Sequence, residues 1–233
     1  AAALRLPHAY LADLPSKLTA TGVGRGYRAD EAAEQTPPPR KEVQLRAPLF
    51  EQGEKKLTSA EIGTAHHLFM QFCDFDAACA PNGVENELNR LAEKKILSTE
   101  QAHAVDKRKI ERFFASDLYK TFMVENKVRR EFKFSVLVPA QAYFPVAADA
   151  PEENVLLQGV IDCLIETRDG FVILDFKTDR IKKGGAVERA EQYRPQLAAY
   201  ARAVHEIYGR PVRACVLYFF HTGDTEWVSL DED

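Results

Sequence analysis

The chain has 233 residues, 45% of them hydrophobic and 28% charged, with a formal net charge of −4. This composition excludes global disorder and suits either one large domain or one domain with an added arm. The acidic balance gives no general attraction to nucleic acid, so phosphate contacts would have to come from basic patches such as Lys127–Lys133 ("KVRREFK") and Lys177–Lys183 ("KTDRIKK").

In chain order, residues 1–57 are rich in Pro, Gly and charge and carry no sustained periodicity, so they are expected to form a linker or a partly ordered arm. Within them "GVGRG" (Gly22–Gly26) resembles a fragment of a phosphate-binding loop. It follows no apolar strand and reads as linker. The first residue is Ala1 rather than Met, as expected of a piece of a longer polypeptide. No apolar run approaches a membrane span and no signal peptide is visible, so a cytoplasmic location is expected. Cys73, Cys79, Cys163 and Cys215 form no CxxC pair, which argues against a zinc ribbon or an iron–sulfur cluster and suits reduced core thiols.

Residues 58–233 read as one domain with a helical part (58–126) and a sheet core (127–233). Thr58 and Glu61 have capping-box spacing ahead of apolar positions at helical intervals, which predicts a helix over about 59–75. Two or three more helices fill 84–126. The clearest is a single helix from Ser98 or Thr99 that turns Val105, Ile110, Phe113 and Phe114 inward. The period then becomes two, giving strands over 129–139, 154–167, 170–178 and 212–220, with "RDG" as a tight turn between the second and third. A helix with Pro195 near its start, ended by Gly209 and Pro211, links the last two. Helices, then a hairpin, then a strand–helix–strand crossover imply an α/β or α+β fold with a mixed sheet.

"VILDFKTD" (Val172–Asp179) is an apolar strand interrupted by Asp175 and Lys177, which point to the same face. If the hairpin loop is Arg168-Asp169, Asp162 lies opposite Asp175. If it is Asp169-Gly170, Asp162 lies opposite Lys177. In either register two carboxylates and an ammonium converge. Carboxylates so placed repel each other and are relieved by protonation or a shared cation, for which Mg²⁺ with oxygen ligands is the usual choice in phosphate chemistry. Lys177 would then contact the phosphate or the attacking water. The plain alternative is an Asp–Lys ion pair at a sheet edge.

The series "GVID" (Gly159–Asp162), "LDFKTD" (Leu174–Asp179) and "QLAAY" (Gln196–Tyr200) resembles the PD-(D/E)xK nuclease superfamily and its RecB-like branch. "GTAHH" (Gly63–His67), "REFKFS" and "VLYFFHTGD" sharpen this to the nuclease domains of AddA-type helicase–nucleases, from about residue 43 onward. The resemblance implies a restriction-endonuclease-like mixed sheet flanked by helices. It implies Asp162 and Asp175 as metal-binding carboxylates, Lys177 as catalytic lysine, and the Phe176 backbone carbonyl and His67 as further ligands. His66 competes with His67. Glu131 matches a recurrent acidic position that would act through water on the metal or simply pair with Lys133. Gln196 and Tyr200 would hold DNA or the catalytic residues, beside Arg180, Lys182 and Lys183 as DNA contacts; the plain reading of Tyr200 is core packing. The implied function is Mg²⁺-dependent hydrolysis of single-stranded DNA, exonucleolytic, in double-strand-break repair. The implied partners are a helicase part of the same polypeptide and an AddB-type subunit, with no membrane. No Walker A loop is present, so no ATP site is expected in the chain. Alanine at Asp175 is expected to abolish cleavage with the fold intact. The competing expectations are a phosphohydrolase of small phosphate esters and an idle DNA-binding scaffold that docks the AddB partner.

Overall fold

The computed structural model describes residues 14–23, 57–148 and 153–230. Most of the 1–57 arm and most of the "GVGRG" stretch therefore lie outside the described residues. The sequence expectation of a capped first helix is met in detail. In α1 (Ser59–Phe72), Thr58 N–H donates to Glu61 Oε2 at 2.7 Å and Glu61 N–H donates to Thr58 Oγ1 at 3.2 Å. The helix stops at Cys73, short of residue 75, and a separate turn α2 (Phe75–Ala78) is capped by the Asp74 side chain. Next comes α3 (Gly83–Glu93).

The long helix expected from Ser98 is two helices, α4 (Thr99–Ala104) and α5 (Lys107–Ala115). Ser98 is the cap of α4, with Gln101 as its reciprocal partner. The break has a physical cause: Val105 turns into the core, and the Asp106 N–H is taken by His66 Nε2 at 3.3 Å rather than continuing the helix. A π-helical turn, Leu118–Met123, follows.

The strands are β1 (Lys17–Thr19), β2 (Lys127–Pro139), β3 (Asn154–Thr167), β4 (Gly170–Lys177), β5 (Val212–Phe219) and β6 (Asp224–Val228) in one mixed sheet. β1 comes from the predicted arm and pairs parallel to β3; β6 was not expected from the sequence. β2 runs antiparallel along nearly all of β3, so β1 (opposite Leu156–Gln158) and β4 (opposite Cys163–Thr167) share the other edge of β3. The β3–β4 ladder thus ends at Cys163 and Leu174, and the strands part at Asp162. β4 lies between β3 and β5 and is buried on both faces, which is why it reads as an unbroken apolar run.

One layer, α1–α5, packs on Cys163, Ile165, Val172, Leu174 and Phe176; the other, α6 (Ala186–Tyr208), packs on Ile161, Leu164, Phe171 and Ile173. Pro195 lies inside α6 rather than near its start. An interior proline costs a helix roughly 3 kcal/mol, and burial of Ala186 and Ala190 against the sheet offsets it by extending the helix toward its N-terminus. Gly170, with φ 148°, admits the close approach of Pro211 O that a Cβ would meet at 2.3 Å.

Glu87, buried between α1 and α3, receives the Asp74 N–H and two bonds from Arg90. The Arg90 bonds hold its carboxyl below the usual range against the opposing effect of burial, with the Asp74 N–H assisting. A depressed folded pKa gives stability that is present above the unfolded value, about 4.3, and that is lost as pH falls through the folded one. Glu87→Gln is therefore expected to lower the urea midpoint at pH 7 and to flatten its fall below pH about 4; equal acid slopes for the variant and the parent would refute this.

Candidate active site

The hairpin loop is Arg168-Asp169, with Thr167 paired to Gly170, so the register sets Asp162 opposite Asp175 one step beyond the last ladder pair. Val155, Leu157 and Ile161 pack on the α6 side, yet so does Leu164, so the in–out alternation of β3 changes phase between Ile161 and Leu164. Opposite this point, Glu131 of β2 has a left-handed φ of 49°, which interrupts the pleat. Asp162 thus sits where a strand kinks and two strands separate.

The freed Asp162 carboxylate accepts the Phe176 N–H at Oδ2 (2.7 Å) and meets His67 Nδ1 at Oδ1 (3.3 Å). His67 reaches it from α1, in the other layer. Gly63, one turn earlier, lets α1 close on the end of β4, since a Cβ there would stand 2.8 Å from Thr178 Oγ1. Burial disfavours the His67 cation, but the hydrogen bond to Asp162 and the charges of Asp162 and Asp175 outweigh it and raise its pKa. His66, the competitor, points away: Ile62 O lies 2.8 Å from its Nδ1 and the Asp106 N–H meets its Nε2, so backbone satisfies both nitrogens of a ring whose pKa burial lowers.

Asp175 is 4% exposed and its Oδ2 stands 2.5 Å from Lys177 Nζ. Charge is balanced there, but the approach lacks hydrogen-bond geometry, so Oδ2 is not satisfied as an acceptor. Burial pushes the Asp175 carboxyl up despite Lys177, and Asp162 adds to the push. Lys177 Nζ also donates to Gln196 Oε1 at 3.2 Å, and Gln196 Nε2 donates to the Tyr200 hydroxyl at 2.8 Å. Both α6 residues are buried, at 7% and 2% exposure, so they face the lysine rather than solvent, and a direct DNA contact from them is excluded in this conformation.

Glu131 does not share a face and an ion pair with Lys133 as its place in a regular strand suggested; its left-handed backbone turns it toward Asp162. Burial raises its pKa first and Asp162 second. Arg180, Lys182 and Lys183 are exposed after β4. The other basic patch is structural: Arg129 binds Glu166 and Tyr208, and Arg130 donates to Met70 O and Cys73 O at the end of α1. Cys73, Cys163 and Cys215 are buried free thiols, while Cys79 is exposed, unlike the expected core thiol. A cleft of about 440 Å³ between α1, the segment after β4 and the end of β5 is lined by Gly63, Thr178, Arg180 and His221; it adjoins the site without being lined by either carboxylate.

The sequence reasoning missed Tyr193, whose ring lies against Lys177 Nζ, 3.8 Å from the centroid. The signal was available as helical spacing: Tyr193, Gln196 and Tyr200 fall on one face of a helix.

Two carboxylates, one with an unsatisfied buried oxygen, and an adjacent imidazole make a donor set suited to a hard divalent cation. Among the described residues no three such side chains converge as they stand, because Asp175 is turned to Lys177.

Comparison with known proteins finds the family described as the PD-(D/E)XK nuclease superfamily over residues 40–229. Three relatives, each named as the AddA-type component of an ATP-dependent helicase/nuclease, are similar. That of Moorella thermoacetica is 40% identical over 93% of this chain and 15% of its own length. That of Thermoanaerobacter sp. is 34% identical over 91% and 17%, and that of Desulforamulus reducens 40% identical over 76% and 14%. The chain therefore spans only about 15% of the length of such relatives. Because the family match takes in α1, the forked hairpin and the whole of α6, the chain belongs to the PD-(D/E)XK nuclease superfamily.

Proposed function

We propose that this nuclease domain hydrolyses phosphodiesters of single-stranded DNA with a divalent cation, Mg²⁺ in the first instance. The observation that carries the reading is the meeting of Asp162, Asp175 and Lys177 at the point where β3 and β4 part. Asp162, Asp175, His67 and the Phe176 carbonyl would hold the cation. When bound, it neutralises the carboxylates, draws charge from the phosphate and acidifies water at the site.

The protein's own groups account for the rest. A water oxygen attacks phosphorus, the bond to the leaving sugar oxygen breaks in line, and that oxygen takes up a proton. Lys177 keeps its ammonium at the reacting phosphate, where the negative charge of the transition state grows. Gln196 fixes the lysine side chain and Tyr200 fixes Gln196. Glu131, whose raised pKa favours the protonated carboxyl, stands beside Asp162 as an auxiliary group acting through water. Arg180, Lys182 and Lys183 flank the exit of β4 as phosphate contacts. The names of the relatives favour a place in a larger helicase–nuclease, with an AddB-type partner and a role in double-strand-break processing.

The test is incubation of labelled single-stranded DNA with the protein in Mg²⁺ or in EDTA. Cleavage in Mg²⁺ alone is expected. Tight binding without cleavage, in the chain and in the whole helicase–nuclease, would replace this reading with that of a scaffold. Preference for small phosphate esters would replace DNA as substrate.

A further inference from the structure

Lys177 Nζ has three neighbours: Asp175 Oδ2 at 2.5 Å, Gln196 Oε1 at 3.2 Å, and the face of Tyr193 at 3.8 Å from the ring centroid. Tyr193 does not owe its place to the lysine. Its hydroxyl donates to Asp179 Oδ2 and receives Arg189 Nη2 at 3.2 Å, and Arg189 Nε pairs with the same Asp179 oxygen at 3.0 Å. The ring is thus fixed from its far end, between α6 and the segment that leaves β4. The polar end serves the loop and the π face serves the ammonium.

These contacts differ in what they give up when a cation arrives. The one charged partner of Lys177 is Asp175, which the proposed function needs as a ligand. A carboxylate oxygen drawn to a divalent ion no longer balances the ammonium 2.5 Å away. Gln196 Oε1 and the Tyr193 ring carry no net charge and compete for no cation, and an aromatic face attracts an ammonium most when water is excluded.

We propose that Tyr193 is a positioning residue whose ring face holds the Lys177 ammonium in place while Asp175 passes from ion-pair partner to metal ligand. The proposal rests on the nuclease reading of Lys177. It also explains why the side chain one turn before Gln196 is aromatic with a polar tip, since a purely apolar residue would lose the tie to Asp179 and a polar aliphatic one the cation-binding face.

The experiment uses Tyr193→Phe, Tyr193→Leu and Lys177→Met in the full chain. With Mg²⁺ and single-stranded DNA, Tyr193→Leu is expected to lower kcat by about tenfold, with KM changed by less than about twofold. Tyr193→Phe, which keeps the ring, stays within about threefold of the parent. The second readout needs no metal: in EDTA, the melting-temperature losses of Tyr193→Leu and Lys177→Met are expected to be less than additive in the double variant. Additive losses, or a Phe variant as impaired as the Leu variant, overturn the proposal while leaving the nuclease reading standing. A parent chain that cleaves no DNA, alone or within the whole helicase–nuclease, overturns the nuclease reading itself and this role with it.

Discussion

Replacing Asp175 with alanine is expected to lower Mg²⁺-dependent cleavage by about 10³-fold, since loss of a group that organises transition-state charge costs several kcal/mol at about 1.4 kcal/mol per decade. The sequence suggested that the fold would be indifferent to this change. The structure revises that expectation. Asp175 and Lys177 form a buried pair, with side chains 6% and 12% exposed. Removing one member strands the other, which costs about 3–5 kcal/mol in such pairs. Asp175→Ala should therefore melt earlier in EDTA as well as fail to cleave. Asp175→Asn combined with Lys177→Met, which removes both charges and keeps the volumes, should recover most of that stability and none of the activity. Unchanged cleavage by either would end the assignment of the site. A double variant as unstable as the single one would show that the pair serves the fold.

Phe113→Ala is the second large effect. Phe113 is fully buried in α5 and its ring meets those of Phe114, Tyr119, Phe176, Tyr218 and Phe220 at 5.0–6.2 Å between centroids. Truncation of such a side chain costs about 3–5 kcal/mol, from lost transfer energy and the cavity left behind. For a domain of this size that is a fall in melting temperature of roughly 10 °C. The variant should also cut more slowly at temperatures where it is folded. The ring of Phe176 rests edge-on against Phe113 at 5.2 Å, and Phe176 sets the spacing between Asp175 and Lys177 and donates its N–H to Asp162. Thermal melting and cleavage assayed well below the transition separate the two effects. Parent-like activity there would show that the site tolerates a loosened core on its far side.

Much of this was legible in the sequence, for local reasons. The capping box of α1, the period-two strands, the two-residue hairpin loop and the Asp175–Lys177 face are set by neighbours in the chain, whose spacing obeys fixed helix and strand geometry. The order of Asp162, Asp175, Lys177, Gln196 and Tyr200 carried the family by itself. The short edge strands β1 and β6 were not legible, because three and five residues give too little periodicity to read. The break at Val105 was hidden because its cause, His66, lies 40 residues away along the chain.

What tertiary structure decided is how the site is held. That β1 and β4 share one edge of β3, that the pleat slips opposite Glu131, and that α1 brings His67 to the resulting gap are facts of long-range pairing. The sequence determined which charged groups this strand carries and which relatives it resembles. Only the packing of α6 determined that the lysine among them has an amide and an aromatic ring to hold it, because those contacts join residues 16 and 19 positions apart across two elements.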